Sequence, residues 1–285
     1  MSQLIIIRRR LKAVQTIKKI TNAMRLVSRS LHSQMHAKQH AINTYKKTIE
    51  AVLYKNFSSH TMPHAPLFPS SEAPERKLTI LIGSQKGLCG TYNAPLNYWL
   101  STHAALFTRD FHDLIVIGKK MQEICQQNSL QPSLVIEEVK FSTIEITVQN
   151  LLQRILTAKN PYTHVSFISN HSKNFFARTI KEIVLVPLDY SGNKEFFEET
   201  TPPDFTWLNN KEEVALKLSI MLAKNIIHTV IFEALMSEQA ARFIAMDNAT
   251  RNAKELLDTM KIQYNKLRQM KITKELIELT GNFKK

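Results

Sequence analysis

The feature that most constrains this chain is a long C-terminal stretch, Trp207 to Thr280, that contains neither glycine nor proline. Both residue types interrupt helices, so their absence allows one helix, roughly 110 Å long, to continue through the whole stretch. A helical pattern much longer than about 25 residues is typical of a coiled coil or a membrane span. Charged side chains such as Arg242, Asp247 and Arg251 recur along the stretch, so we expect a coiled coil.

Apolar and small residues form a stripe along this predicted helix. They are spaced by three or four positions, which indicates a seam that packs against another helix. The predicted seam consists of Ala241, Ala245, Ala249, Ala253, Leu256, Met260, Tyr264, Leu267 and Met270. The alanines would allow the partner helix to approach closely.

The partner is predicted at the other end of the chain, because residues 1–62 also lack glycine and proline. Steps of three and four give a second predicted seam, at Ile7, Arg10, Val14, Ile17, Thr21, Met24, Ser28, Leu31, Met35, Lys38, Ile42, Tyr45, Ile49 and Val52. All ten prolines and five of the six glycines lie between Pro63 and Pro203. The sequence therefore predicts an N-terminal helix over 1–62, a linker and compact insert over 63–206, and a C-terminal helix over 207–285, with the two helices antiparallel.

The net charge of +14 is carried mostly by the helices. Residues 1–55 hold twelve Lys or Arg side chains and a single acidic one, Glu50. A basic helical rod can bind nucleic acid, an anionic membrane surface or an acidic protein, and charge does not choose among them. Cys89 and Cys125 are too few for a disulfide framework or a cysteine metal site, which suits a reducing cytosol. We expect no signal peptide and no apolar stretch long enough to cross a bilayer.

The insert alternates apolar runs with helical patterns, which favours a mostly parallel α/β sheet. Strands are predicted over 78–83, 112–117, 134–139, 165–169 and 183–188. Helices are predicted over 94–107, 118–127 and 144–156.

No catalytic or ligand-binding motif is recognisable in the insert. The loop after the first strand contains Gly83, Gly87 and Gly90, a spacing that matches neither of the common phosphate-binding patterns. In the N-terminal helix, His32, His36 and His40 share a face at metal-ligand spacing, but no carboxylate or cysteine joins them nearby. We expect no catalytic residue, no cofactor and no metal.

Four stretches together resemble the gamma subunit of F-type ATP synthases. Residues 20–27 (ITNAMRLV) are similar to the family pattern I-T-x-A-M-x-x-V, and residues 84–93 (SQKGLCGTYN) to S-x-x-G-L-C-G-x-x-N. Residues 237–253 (SEQAARFIAMDNATRNA) and 264–276 (YNKLRQMKITKEL) resemble the C-terminal signature. The motifs occur in the family's order and cover nearly the whole chain.

The resemblance implies a non-catalytic rotating shaft that couples transmembrane ion flow to ATP synthesis. In that family an antiparallel coiled coil of the terminal helices lies inside a ring of alpha and beta subunits. A Rossmann-like α/β insert without nucleotide contacts the epsilon subunit and the membrane c-ring. The family's positions for contact with the beta subunits correspond to Met24, Lys86, Cys89, Arg242, Arg268, Gln269 and Thr273. Because no transit peptide is recognisable, the resemblance implies a bacterial chain on the cytoplasmic face of the cell membrane, peripheral and held there only through the complex.

Two other interpretations remain open at the level of sequence. One is a basic coiled-coil protein that binds nucleic acid or acts as a scaffold, although neither aromatic platforms nor a groove-binding motif is recognisable. The other is a Rossmann-type enzyme, which the glycine spacing disfavours. Salt-sensitive nucleic-acid binding would support the first and tight nucleotide binding the second.

Overall fold

A computed structural model describes residues 2–56, 67–69, 74–108, 111–172, 174–189 and 210–282. The helices are α1 (Ser2–Asn56), α2 (Ala94–His103), α3 (Lys119–Gln127), α4 (Ile144–Leu156) and α5 (Lys211–Asn282). The strands are β1 (Lys77–Ile82), β2 (His112–Ile117), β3 (Leu134–Ile136), β4 (His164–Ser172) and β5 (Arg178–Val186). The predicted helical residues 57–62 and 207–209 lie outside the described residues.

The five strands form one sheet in the order β3-β2-β1-β4-β5. The first four strands are parallel, and β5 pairs antiparallel with β4. This arrangement confirms the predicted α/β class with a mostly parallel sheet. The fifth strand begins at Arg178 rather than residue 183, and the third ends at Ile136 rather than Val139. Glu137 and Glu138, which fall within the predicted third strand, therefore lie in a loop.

Both faces of the sheet are covered, and the strands alternate between them. On β1, Ile80 and Ile82 face a core shared with α1, α4 and α5, while Leu81 faces a smaller core under α2 and α3. Central strands that are buried on both faces read as continuous apolar runs, which is why their positions could be predicted.

The chain divides into two compact units. The first, here called the coil unit, contains residues 1–30 and 242–285; the second, the sheet unit, contains residues 31–241. In the coil unit, Arg25 contacts Asp247 at 2.8 Å and Thr250 Oγ1 donates to Thr21 Oγ1 at 2.9 Å. The residue number rises along α1 as it falls along α5, so the predicted antiparallel coiled coil is confirmed.

The seam of α1 differs from the predicted one at every second position. The less exposed side chains follow a regular four-three repeat: Leu4, Ile7, Leu11, Val14, Lys18, Thr21, Arg25, Ser28, His32, Met35, Gln39, Ile42, Lys46, Ile49 and Leu53. The predicted members Arg10, Ile17 and Leu31 are exposed. The residue that follows each of them lies in the seam instead. The polar side chain of Arg25 is accommodated in the seam because it pairs with Asp247. At every second position, the predicted seam residue therefore precedes the observed one by one residue.

The seam of α5 shows the same kind of shift. Its less exposed positions also follow a four-three repeat: Met246, Thr250, Ala253, Leu257, Met260, Tyr264 and Leu267. Leu256 is 49% exposed and Met270 is 55% exposed, so their assignment to the seam was wrong. Ala249 is half-buried beside Thr250.

One window of α5 contradicts the expectation that no stretch could cross a bilayer. Within Lys211–Leu279, an 18-residue window has a mean hydropathy of 1.5, and half of it is buried in the fold. In the sheet unit, α5 contributes Leu222, Ile227 and Ile231 to the core beside the sheet. Burial against that sheet explains the apolar composition, because a core helix has the same composition as a membrane span.

Candidate partner-contact surface

The loop between β1 and α2 is closed at its base by two residues of the sequence motif. The Ser84 N–H donates to Asn93 Oδ1 at 3.0 Å, and Asn93 Nδ2 donates to Ser84 Oγ at 2.7 Å. Between them, Leu88 and Gly90 adopt left-handed backbone conformations, with φ of 63° and 59°. Glycine accepts this conformation without a steric penalty, which accounts for Gly90. The motif thus builds a fixed loop that exposes Leu88 at its surface.

Further hydrogen bonds fasten this loop to the rest of the sheet unit. The Gln85 N–H donates to Glu238 Oε2 at 3.3 Å, and Gln85 Nε2 donates to the Val139 carbonyl at 2.7 Å. The buried Tyr92 hydroxyl donates to the Ala234 carbonyl at 3.0 Å. Burial, followed by the nearby Glu238 carboxylate, raises the pKa of Tyr92, so its hydroxyl remains a donor. Two of these bonds join the loop directly to α5.

Lys86 and Cys89, both predicted to contact a partner, have opposite environments. Lys86 is exposed, and its Nζ lies 3.1 Å from Glu138 Oε1. That contact holds the pKa of the Glu138 carboxyl below its ordinary value. Cys89 is only 5% exposed and packs with Tyr92 and Ala241. A direct side-chain contact fits Lys86 but not Cys89, whose thiol is turned under the loop.

The predicted contact residues of the coil unit also divide by exposure. Arg268, Gln269 and Thr273 are exposed on α5, and Thr273 Oγ1 donates to the Gln269 carbonyl at 3.0 Å. Met24 is half-buried beside the seam. Arg242 is 6% exposed, so only a small part of it can face a partner.

Sequence reasoning missed an exposed apolar stripe on α1, because it assigned part of that stripe to the seam. Ile17, Ile20 and Val27 are 52%, 53% and 59% exposed. With Met24 they follow helical spacing along one face, and we call these four residues the outer stripe. Contiguous exposed apolar surface is typical of interaction sites, so the outer stripe is a candidate contact surface. The sequence did contain a signal for the outer stripe, because α1 has more apolar residues at helical spacing than a single seam requires.

The amides at the start of α3, which follows β2, are bonded to the chain's own carbonyls. At the start of α3, the N–H groups of Gly118, Lys119 and Lys120 donate to the carbonyls of residues 136, 137 and 84, respectively, at 2.8–3.1 Å. A Cβ at Gly83 would lie 2.7 Å from Met121 Cβ. Helix N-termini bind phosphate through free amides, and these amides are already bonded.

The remaining chemical candidates do not form a metal site among the described residues. No group of three or more His, Cys, Asp and Glu side chains there is placed to hold a metal ion. His32 and His36 stack on each other, and burial lowers the pKa of His32. Burial raises the pKa of the Cys125 thiol to about 11, which keeps it protonated and unreactive.

The Arg25–Asp247 contact provides a test of the antiparallel register. Arg25→Glu places two carboxylates together in the seam, and we expect a loss of about 1–3 kcal/mol, between the values for exposed and buried pairs. Adding Asp247→Arg should recover at least half of this loss, with Arg251 near Asp247 limiting the recovery. Urea denaturation of the single and double variants measures both effects. A double variant that is as unstable as the sum of the singles would contradict the register.

Comparisons with known proteins agree over nearly the whole chain. Residues 3–284 match the profile of the ATP synthase family. The ATP synthase gamma chain of Clostridium perfringens is 30% identical over 287 residues, covering 96% of this chain and 95% of that relative. The gamma chain of Cytophaga hutchinsonii is 27% identical over 284 residues, covering 96% of both chains.

Solved structures show the same fold. A chain in the rotor of Euglena gracilis mitochondrial ATP synthase aligns with a TM-score of 0.63 at 15% identity, covering 94% of this chain and 98% of that one. A chain in the central stalk and c-ring structure of Tetrahymena thermophila ATP synthase aligns with a TM-score of 0.54 at 23% identity, covering 81% and 99%. From the profile match and the relatives aligned along their full length, we conclude that the chain belongs to the ATP synthase gamma-chain family.

Proposed function

We propose that this chain is the central rotating shaft of an F-type ATP synthase, coupling transmembrane ion flow to ATP synthesis on a ring of alpha and beta subunits. The observation that carries the proposal is the full-length match to ATP synthase gamma chains, joined to an antiparallel coiled coil built from the two chain ends. The basic nucleic-acid-binding or scaffold alternative has no support in these relatives.

The coil unit has the properties that a bearing surface requires. Residues 1–30 hold eight Lys or Arg side chains and no acidic one, and the outer stripe adds exposed apolar surface. Because the stripe occupies one face of α1, turning the unit presents different chemistry in turn to each beta subunit. Met24 on the stripe, with Arg268, Gln269 and Thr273 on α5, are the proposed contacts there.

A shaft must also resist slipping of one helix along the other. Polar pairs at seam positions fix the register of a coiled coil, since any other alignment leaves them unpaired. The Arg25–Asp247 and Thr21–Thr250 contacts serve this purpose in the coil unit. Close packing of the remaining seam residues transmits torque with little yielding.

The sheet unit supplies the other proposed contacts. Lys86 projects from a loop held in shape by the Ser84–Asn93 pair, and it is suited to meet acidic groups of the beta subunits. Cys89 supports this loop from beneath. The epsilon subunit and the membrane c-ring are the further proposed partners, so membrane association on the cytoplasmic face of a bacterial cell membrane follows from the complex.

The shaft performs no bond chemistry in this proposal. We predict that the purified chain neither hydrolyses ATP nor binds it at micromolar concentration, because the glycines from Gly83 to Gly90 match no common phosphate-binding spacing. The first amides of α3 are also bonded to protein carbonyls. Equilibrium dialysis with labelled ATP and an assay of phosphate release are the measurements. Saturable micromolar ATP binding by the chain alone would contradict the prediction.

The proposal itself is tested by purification of the native complex. A tag on the chain should recover alpha, beta and epsilon subunits together with the c-ring, and the recovered complex should hydrolyse ATP. Recovery of the chain with nucleic acid and without these subunits would contradict the proposed function.

A further inference from the structure

A cavity of about 680 Å³ lies in the sheet unit, on the face of the sheet that also carries α2. It lies at the amino ends of β1, β2 and β4, the end opposite to the loop that carries Lys86. Its floor consists of Lys77, Thr79, His112, His164, Ser166 and Glu182, and Trp99 and His103 form part of its wall. None of these residues belongs to the proposed partner contacts.

The sheet face changes from apolar to polar as it enters this cavity. On β1, the buried Leu81 is followed toward the amino end by Thr79 and Lys77, which point to the same side. On β4, Ile168 is followed in the same way by Ser166 and His164. Thr79 is 5% exposed and Ser166 is 2% exposed, although a packed core favours apolar residues at such positions.

Three nitrogen-bearing side chains lie in one row across the floor. Lys77 is in register with His112 on one side and with His164 on the other. Neighbouring strands are separated by about 4.8 Å, so the three groups lie side by side. Cationic side chains at adjacent positions repel one another, and burial together with Lys77 and His164 lowers the pKa of His112. An anion placed above the row would relieve this repulsion.

Hydroxyl groups complete the floor. Ser166 Oγ makes no hydrogen bond to any other residue that the structure describes, although the side chain lines the cavity. Thr79 Oγ1 lies 2.8 Å from His112 Nε2, which orients that ring. Two acidic side chains also line the cavity, and both are exposed. Glu75 contacts Lys77 Nζ at 2.6 Å, and Glu182 lies on the edge strand β5. An exposed ion pair such as Glu75–Lys77 contributes little to stability, so an anion can displace it.

We propose that this cavity binds a small free oxyanion of the phosphate or sulfate class. The Lys77 ammonium group balances part of its charge, and the His112 and His164 imidazoles and the Ser166 hydroxyl are placed to donate hydrogen bonds to its oxygens. Lys77 in the middle of the row excludes a divalent cation, because its ammonium group would face the metal between the two imidazoles.

The binding should depend on pH in a defined direction. Burial and the neighbouring Lys77 lower the pKa of His112, and a bound anion favours the protonated form of that imidazole. Sulfate does not change its own charge near neutral pH, so it should bind more tightly as the pH falls.

The stacked rings of Trp99 and His103, whose centroids are 4.4 Å apart, provide the readout. In the full chain carrying Trp207→Phe, Trp99 is the sole tryptophan, and inorganic phosphate at constant pH should change its emission saturably at millimolar concentration. Calorimetry gives an independent affinity. Lys77→Gln should weaken binding by about tenfold or more and Ser166→Ala by about threefold, with far-UV circular dichroism unchanged.

Lys181→Gln is the matched control, since residue 181 lies on the opposite face of β5 from Glu182, and its affinity should equal that of the parent chain. Three results would overturn the proposal: no saturable response to phosphate, equal affinity in the Lys77 and Ser166 variants, or displacement of phosphate by Zn²⁺ binding in the cavity. ATP binding that is tighter than phosphate binding and is weakened by the same variants would show a nucleotide site instead of a site for a small free anion.

Discussion

Gly118→Ala is expected to destabilise the sheet unit by about 2–6 kcal/mol, a large fraction of the stability of an ordinary domain. Gly118 follows β2 with φ of 106°, a conformation that side chains with a Cβ rarely adopt. A Cβ there would lie 2.6 Å from the Gly83 carbonyl oxygen and 2.8 Å from that of Ser84. Relieving these contacts would separate α3 from the loop that carries Lys86. Urea denaturation followed by tryptophan fluorescence measures the loss.

Gly87→Ala is the matched control for this prediction. A Cβ at Gly87 would have no atom within 4 Å, so the same substitution should change the free energy of unfolding by less than about 0.5 kcal/mol. If both variants unfold at the same urea concentration, the close approach of Gly118 to the Gly83 and Ser84 carbonyls does not stabilise the contact between the ends of β1 and β2.

Met24→Lys is expected to lower ion pumping per ATP hydrolysed while leaving the complex assembled. Met24 lies on the outer stripe, half-buried and next to the seam residue Arg25. An unbranched apolar side chain can slide past a changing surface with little directional cost. Lysine there could pair with a carboxylate of a beta subunit, and close interfacial charge pairs are worth about 1.5–7 kcal/mol. A contact that is strong at only one angle raises the barrier for leaving that angle.

The comparison variant is Met24→Leu, which changes volume and polarity little and should pump normally. The measurement is ATP-driven ion pumping in inverted membrane vesicles, normalised to ATP hydrolysis. A lysine variant that assembles and keeps the wild-type ratio would show that Met24 only fills space beside the seam.

The architecture could be predicted from the sequence because the positions of the helix-breaking residues are unambiguous. Prolines and glycines are confined to the centre of the chain, so the long helices could only lie at its ends. Strands buried on both faces appear as short apolar runs, and β1 and β2 were predicted within one residue of their observed bounds. The direction of β5 could not be predicted, because an apolar run carries no sign of whether its neighbour is parallel.

The seam could be predicted only in part, for a physical reason. Seam positions are separated alternately by three and four residues, so two sets of positions are possible from one starting residue. Apolar content distinguishes the two sets only when the seam is apolar throughout. Here Lys18, Arg25 and His32 occupy seam positions, whereas Ile17 lies outside them. The pairing of Arg25 with Asp247 depends on a residue more than 200 positions away, and a single helix contains no information about it.

The candidate contact residues could also be predicted only in part. The resemblance to the family motif indicated the loop that carries Lys86, but not that Cys89 would turn inward to pack against Tyr92 and Ala241. The outer stripe was not recognised because two of its four residues, Ile17 and Met24, were assigned to the predicted seam. The polar cavity behind α2 was not predicted at all, because its floor combines residues from strands that are distant in sequence.

The central claim is that this chain turns inside its complex as ATP is hydrolysed, and direct observation of rotation tests it. Tyr98 is 72% exposed while both native cysteines are buried, so Tyr98→Cys offers a single site for an optical probe. With the beta subunits fixed to a surface, the account predicts rotation in one direction, driven by ATP. A probe that stays still while the complex hydrolyses ATP at its normal rate would contradict the account.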